Sequence, residues 1–201
     1  MKPNTSFIPT ISNEATTALP AAQFSGEIVV VDSEEAIRDA CRELAVEPVI
    51  GFDTETRPSF RPGTHNRVAL LQLSTPRRCF LFRLCRIPLD RDILRILENS
   101  HILKIGAAVS GDLHALHELR HFREGGFVDL QSIAGEWGIE EKSLRKMAAV
   151  VLGRRVSKAQ RLSNWEAANL TPQQQMYAAT DAWVCIRIYN RLIHTPKTGR
   201  T

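Results

Sequence analysis

Three β-rich runs follow one another between Pro48 and Leu84: "PVIGFDTET", "RVALLQLST" and "RRCFLFRL", parted only by stretches punctuated with Pro, Gly and Asn. Runs of β-branched and aromatic residues bounded in this way are strands, and they form a meander of adjacent strands. A meander has an apolar face, so the rest of the chain must cover a sheet. The flanking sequence has the pattern to do so. "EIVVVDS" is a further strand, and the helix after it, capped by Ser33, puts Ala36, Ile37, Ala40, Cys41 and Leu44 on one face. Beyond the meander come a helix capped by Asp90, a short buried strand in "HILKIGAAV" and a helix starting near Ser110 in "SGDLHALHELRHF". From "DLQSIAGEWGI" onward the period is helical, with Gly138 and Gly153 as stops. The sum predicts an α/β domain, a mixed β-sheet flanked by α-helices.

With 201 residues there is material for one core. We expect a single domain over residues 25–195, a flexible N-terminal tail over 1–24 and a short C-terminal tail over 196–201. No apolar run reaches the length of a membrane span, which argues against a membrane protein. Residues 1–24 lack the basic-then-apolar order of a secretory signal. Cys41, Cys79, Cys85 and Cys185 have no C-x-x-C spacing and lie in apolar segments, as reduced core thiols do. These features fit a cytoplasmic protein.

Acids stand where apolar side chains are expected. A strand alternates its side chains, so Asp53 and Glu55 point one way and Thr54 the other. Two anions on one patch repel unless a cation lies between them or one is protonated, so the pair suits a metal or a general acid/base couple. The last helix has its phase set by Thr171 as N-cap, Pro172 at the first position and Gln174 closing a capping box. That phase stacks Tyr177 one turn before Asp181 on a face continued by Val184 and Ile188. Asp112 shares a helix face with Leu116 and Leu119 in the same manner. A buried carboxylate without a partner costs several kcal/mol, so each of these acids asks for a cation.

The net charge of +4 says little, but its placement says more. Lys142, Arg145, Lys146, Arg154, Arg155, Lys158 and Arg161 follow one another with no acid among them. Such a stretch is either a solvated face or a phosphate-binding flank. In "RPSFRPGTHN", Phe60 and His65 stand with Arg57 and Arg61 in a loop that could wall an unpaired terminal nucleotide or serve as a plain strand connector.

The segments "FDTET", "KIGAAVSGDL" and "YAATDAW" together resemble the three motifs of the DEDD superfamily of 3'-to-5' exonucleases. Tyr177 marks the tyrosine subgroup, because position 176, where the other subgroup carries histidine, is Met176. The resemblance runs over roughly residues 26–193. It implies a ribonuclease H-like fold and two divalent cations, Mg²⁺ or Mn²⁺, that hydrolyse phosphodiesters at a 3' end to nucleoside 5'-monophosphates. It further implies that Asp53 bridges the ions, that Glu55 and Asp181 complete the site where water is activated, and that Asp112 holds the second ion through water. Tyr177 would orient that water. The implied partner is single-stranded or 3'-recessed nucleic acid, with Lys158 and Arg161 near its phosphates and Arg154 and Arg155 steering the strand.

Two other readings stand beside this one. A module of the same fold could bind nucleic acid without cleaving it, although all four acids and the tyrosine are present. His117, Glu118 and His121 also spell H-E-x-x-H, the zinc-peptidase helix motif, with Glu141 as a third ligand. Against that, Arg120 puts a cation between the two histidines, Gly125 and Gly126 follow closely, and the acids at 53, 55 and 181 are left unexplained.

Overall fold

The computed structural model describes residues 7–59 and 66–198. After helix α1 (Asn13–Ala18) come strand β1 (Glu27–Val31), helix α2 (Glu34–Leu44), the meander β2 (Val49–Thr56), β3 (Val68–Ser74) and β4 (Arg78–Phe82), and helix α3 (Arg91–Glu98). Strand β5 (Leu103–Gly106), helix α4 (Val109–His117), strand β6 (Phe127–Asp129), the single turn α5 (Leu130–Ile133), a 3-10 turn (Ala134–Trp137) and helices α6 (Leu144–Leu152) and α7 (Pro172–Ile193) complete it. The strands form one sheet in the order β1-β4-β3-β2-β5-β6. β2, β3 and β4 are antiparallel neighbours, while β1 runs parallel to β4, and β5 and β6 extend the far edge in parallel.

The sheet is covered on both faces. α2, α3 and α4 pack over Ile50, Phe52, Leu71, Leu73, Phe80 and Phe82. α7 lies across the other face against β2, β3, β4 and β5. Its approach to β2 depends on Gly51, where an added Cβ would stand 1.9 Å from the Ala182 carbonyl oxygen. A glycine in a strand interior usually marks such a close approach of backbone. Here the result is that Asp53, two residues on, lies beneath the turn of α7 that carries Asp181.

Several expectations change. Residues 7–24 are folded against the domain rather than forming a flexible tail: Ser12 caps α1, Thr16 and Phe24 are buried, and the Ala22 amide donates to the Arg155 carbonyl at 2.8 Å. Apolar Phe7, Ala22 and Phe24 supply the contacts that hold this segment. The helix begun near Ser110 stops at His117, eight residues after Val109, so "ELRHF" is not helical. The stretch "DLQSIAGEWGI" starts as the end of a strand, because Phe127–Asp129 adds to the edge of β5 before one helical turn and a 3-10 turn. At the C-terminus, Thr198 donates its amide to the Glu136 carbonyl at 3.1 Å, which docks residues expected in the tail. Cys41, Cys79 and Cys185 are buried as expected, whereas Cys85 is exposed.

Candidate functional site

Three elements distant in sequence bring their acids together. Asp53 and Glu55 come from the end of β2 and Asp181 from the third turn of α7, and one carboxylate oxygen of each lies within 4.8 Å of the others. A bulge at β3 opposite Glu55 and Thr56 shifts the register where the pair emerges from the sheet. Bulges of this kind re-aim side chains beside active sites. Asp112, in the first turn of α4, stands near this group: Thr54, on the opposite face of β2, donates its hydroxyl to the Asp112 carboxylate at 2.5 Å.

Among the described residues no Lys, Arg or His pairs with any of the four acids. The electrostatic consequence is large. Burial, then the charges of Asp181, Asp112 and Glu55, holds Asp53 well above the usual carboxylate range. Burial and the neighbouring Asp181 and Asp112 push Glu55 up to about 9. Burial raises Asp181 to about 7 against the hydrogen bond from Tyr177, and raises Asp112 to about 6 against the bond from Thr54. One oxygen of Asp181, Oδ1, is fully buried with no hydrogen-bond partner. Hard carboxylate oxygens, clustered and lacking a counter-charge, are the donor set that Mg²⁺ or Mn²⁺ takes. The residues present therefore fit a divalent cation.

Tyr177 sits one turn before Asp181 and interacts with its carboxylate. Its ring packs against Trp165, with centroids 6.0 Å apart, and Trp165 is fully buried. Burial and the three surrounding carboxylates raise the phenol far above its ordinary value, so Tyr177 is a neutral donor at any working pH. A cavity of about 550 Å³ opens beside it, lined by Ala21, Ala22 and Gln23, by the loop after α6, and by α7 through Tyr177 and Asp181.

The basic stretch divides. Lys158 and Arg161 are exposed on the loop between α6 and α7, flanking the cavity residues Ser157, Ala159 and Gln160. Arg154 is exposed, whereas Arg155 lines the cavity but donates its Nε to the Leu19 carbonyl at 3.0 Å and so ties down the N-terminal segment. Phe60 and His65, with Arg61, lie outside the described residues. Arg57 pairs with Glu166 at 3.2 Å. The loop between α6 and α7 is anchored by the buried Arg83, which donates to the Ala167 carbonyl at 2.5 Å.

The His117 and His121 rings lie 5.7 Å apart, but among the described residues neither Glu118 nor Glu141 joins them in a group of three ligands. Glu118 caps the end of α4, His121 lies beyond the helix, and His117 bonds Glu124 at 2.9 Å and stacks on Phe122. Glu141 accepts from the Ile11 amide at 2.9 Å and from Lys146 at 3.1 Å. Several residues that matter here carry no sequence signal of their role: Thr54 is only the odd member between two acids, Ala21–Gln23 lie in a stretch with the composition of a tail, and Asp129 opens a helical pattern. Gly51 could have been found, since an isolated glycine inside an apolar strand signals close approach.

Comparison with known proteins meets this geometry. Residues 28–195 match a family model described as 3'-5' exonuclease. The chain is similar to the mouse bifunctional 3'-5' exonuclease/ATP-dependent helicase WRN, 35% identical over 186 residues that make up 87% of this chain and 13% of that protein. It thus spans a small part of that relative's length. Escherichia coli RNase D, described as an exoribonuclease involved in structured RNA processing, superposes with a TM-score of 0.75 at 23% identity, covering 83% of this chain and 44% of that one. Trypanosoma brucei RNase D in complex with RNA U12 does so with a TM-score of 0.74 at 22% identity, covering 86% and 64%.

Proposed function

The chain belongs to the 3'-5' exonuclease family and has its ribonuclease H-like fold, and from that premise we propose that it removes nucleotides from the 3' end of a nucleic acid strand, assisted by two divalent cations, Mg²⁺ or Mn²⁺. The observation that carries this reading is the cluster of Asp53, Glu55 and Asp181, its oxygens within 4.8 Å, with no cationic partner among the described residues. Asp53, Glu55 and Asp181 would hold the ions, with Asp112 as the fourth acid. Bound there, divalent cations lower the pKa of water and stabilise charge on the leaving oxygen.

The chain's own groups do the rest. Tyr177 keeps its proton and donates a hydrogen bond at the reaction centre, orienting the attacking water instead of ionising. Lys158 and Arg161, exposed beside the cavity, engage phosphates of the strand, and Arg154 adds to the steering field. Arg155 serves mainly to tie the N-terminal wall to this loop. The terminal nucleotide lies in the cavity next to Tyr177. Single-stranded and 3'-recessed ends fit this arrangement, because a terminus must leave its partner strand to reach the acids. DNA and RNA both remain candidate substrates; a structural neighbour carries RNA.

The test is a time course on matched 5'-labelled and 3'-labelled oligonucleotides, DNA and RNA, single-stranded and 3'-recessed, with Mg²⁺ or Mn²⁺. The expected result is a ladder shortening from the 3' end, release of nucleoside 5'-monophosphates, and arrest by EDTA. Hydrolysis that persists in excess EDTA, or an inert protein with both metals, overturns the reading.

A further inference from the structure

The turn from β5 into α4 contains the one non-glycine residue with positive φ among the described residues, Ala108, at φ 64° and ψ 36°. An L-residue with a Cβ pays roughly 1–2 kcal/mol to sit in the left-handed region, so something must hold it there. The holder is visible. Asp129, the last residue of β6, accepts the Ala108 amide on Oδ1 and the Val109 amide on Oδ2, both at 3.1 Å, and takes the Gln131 amide at 2.9 Å as well. In the sheet Asp129 stands opposite Gly106, the residue that ends β5. Space on the other side of the turn is closed, since a Cβ on Gly106 would stand 2.8 Å from the Val109 side chain and 3.0 Å from the Phe52 carbonyl oxygen.

The chain has little slack between that turn and Asp112, which lies in the first turn of α4. The N-cap residue, Ala108, offers no side chain to cap this helix; its first amide is held from outside, by the Asp129 carboxylate. Thr54 fixes one Asp112 oxygen from the strand side at 2.5 Å, but a hydroxyl can reach only a carboxylate that the helix has already brought to it. We propose that Asp129 is a positioning residue for the acid site: by clamping Ala108 and Val109 it sets where α4 delivers Asp112. It is not one of the four acids: it acts through the backbone it clamps, and its negative charge also bears on Asp112. The proposal rests on the exonuclease reading for its activity readout and is independent of it for its metal readout.

The test compares Asp129→Asn, Asp129→Ala and Asp129→Ala combined with Ala108→Gly, measuring turnover, KM for an oligonucleotide, Mn²⁺ affinity by calorimetry and thermal melting. Partners that orient metal-binding groups are worth about 10- to 100-fold in affinity or activity. Asp129→Asn keeps the shape but loses one of the two outward acceptors, so kcat should fall about 10-fold or more with KM nearly unchanged, and Mn²⁺ should bind more weakly. Glycine takes the left-handed conformation without the Cβ penalty, so Ala108→Gly should return part of the Mn²⁺ affinity and turnover lost in Asp129→Ala. If Asp129→Asn melts earlier but binds Mn²⁺ and turns over as the parent does, Asp129 is merely structural and the proposal fails. If Ala108→Gly returns nothing to a folded Asp129→Ala protein, it also fails. Should the parent prove inert on every oligonucleotide, the exonuclease reading falls while the Mn²⁺ and melting comparisons still decide the role of Asp129.

Discussion

Two regions of this molecule carry residues with the look of metal ligands, and they differ in how their polar groups are satisfied. At the end of β2 and on α7, Asp53, Glu55 and Asp181 converge from positions more than a hundred residues apart, half-buried or buried, with no cation to balance them. At the end of α4, His117, Glu118 and His121 are close in sequence, yet His117 is bonded to Glu124, Glu118 faces solvent, and the helix that would align them has ended. What separates a ligand site from a coincidence of spacing is the unbalanced charge. Buried anions that repel one another are held there at a cost, and the cost persists only where an added cation removes it.

The largest expected effect breaks the cluster directly. Asp181→Ala should cut turnover by several orders of magnitude, because it removes a ligand, yet without metal the same protein should melt at a higher temperature at pH 8 than its parent, because one buried repelling charge is gone. Paired assays of hydrolysis and melting in EDTA check both signs. Tyr177→Phe comes next: a lost orienting hydrogen bond should lower kcat by about 10²- to 10⁴-fold and leave Mn²⁺ affinity, read by calorimetry, nearly unchanged. Full activity of this variant would remove Tyr177 from the chemistry. Lys158→Ala with Arg161→Ala should weaken binding to a single strand and flatten the log–log salt dependence by about 0.7 per lost phosphate contact, measured by titration at several salt concentrations.

A smaller effect follows from proton linkage. Asp112, Asp181 and Glu55 are raised to about 6, 7 and 9 in the folded protein, chiefly by burial, above the value of about 4 that carboxyls have when unfolded. The folded state then binds more protons than the unfolded one, so the stability these groups lend is complete below pH about 4 and is lost as pH rises through their folded values. Melting in EDTA should therefore fall by a few degrees between pH 5 and 8, and Mg²⁺ should flatten the fall. A melting temperature that rises across this window would contradict the raised values. The smallest effect belongs to the second region: His117→Ala and His121→Ala should leave turnover within about twofold and protein-bound zinc undetectable by elemental assay.

Much of the fold is legible in the sequence alone. The meander, the capped helices α2, α3 and α7, and the mixed sheet all follow from local periodicity and cap chemistry, which act over a few residues and so are written in a few residues. Asp53, Glu55 and Asp181 stood out because each interrupts an apolar pattern. The docking of residues 7–24 is hidden, since polar composition suggests a tail and only the seating of Phe24 under α7, its amide bonded to Thr180 at 3.2 Å, overrides it. Strand β6 was hidden too, being three residues long and strand only because β5 offers it an edge.

The sequence by itself determined the element types, the caps that set the phase of α7, and the acids that cannot rest in an apolar stripe without a counter-charge. Tertiary structure alone decided which of those acids meet. Gly51 lets α7 close onto β2, Thr54 reaches across to Asp112, and Asp129 holds the turn from which α4 starts. Periodicity and capping are short-range and repeat along the chain, so a single sequence records them. Convergence depends on backbone approach and on hydrogen bonds between residues distant in the chain, which have no local pattern and arise only when the sheet and its helices pack.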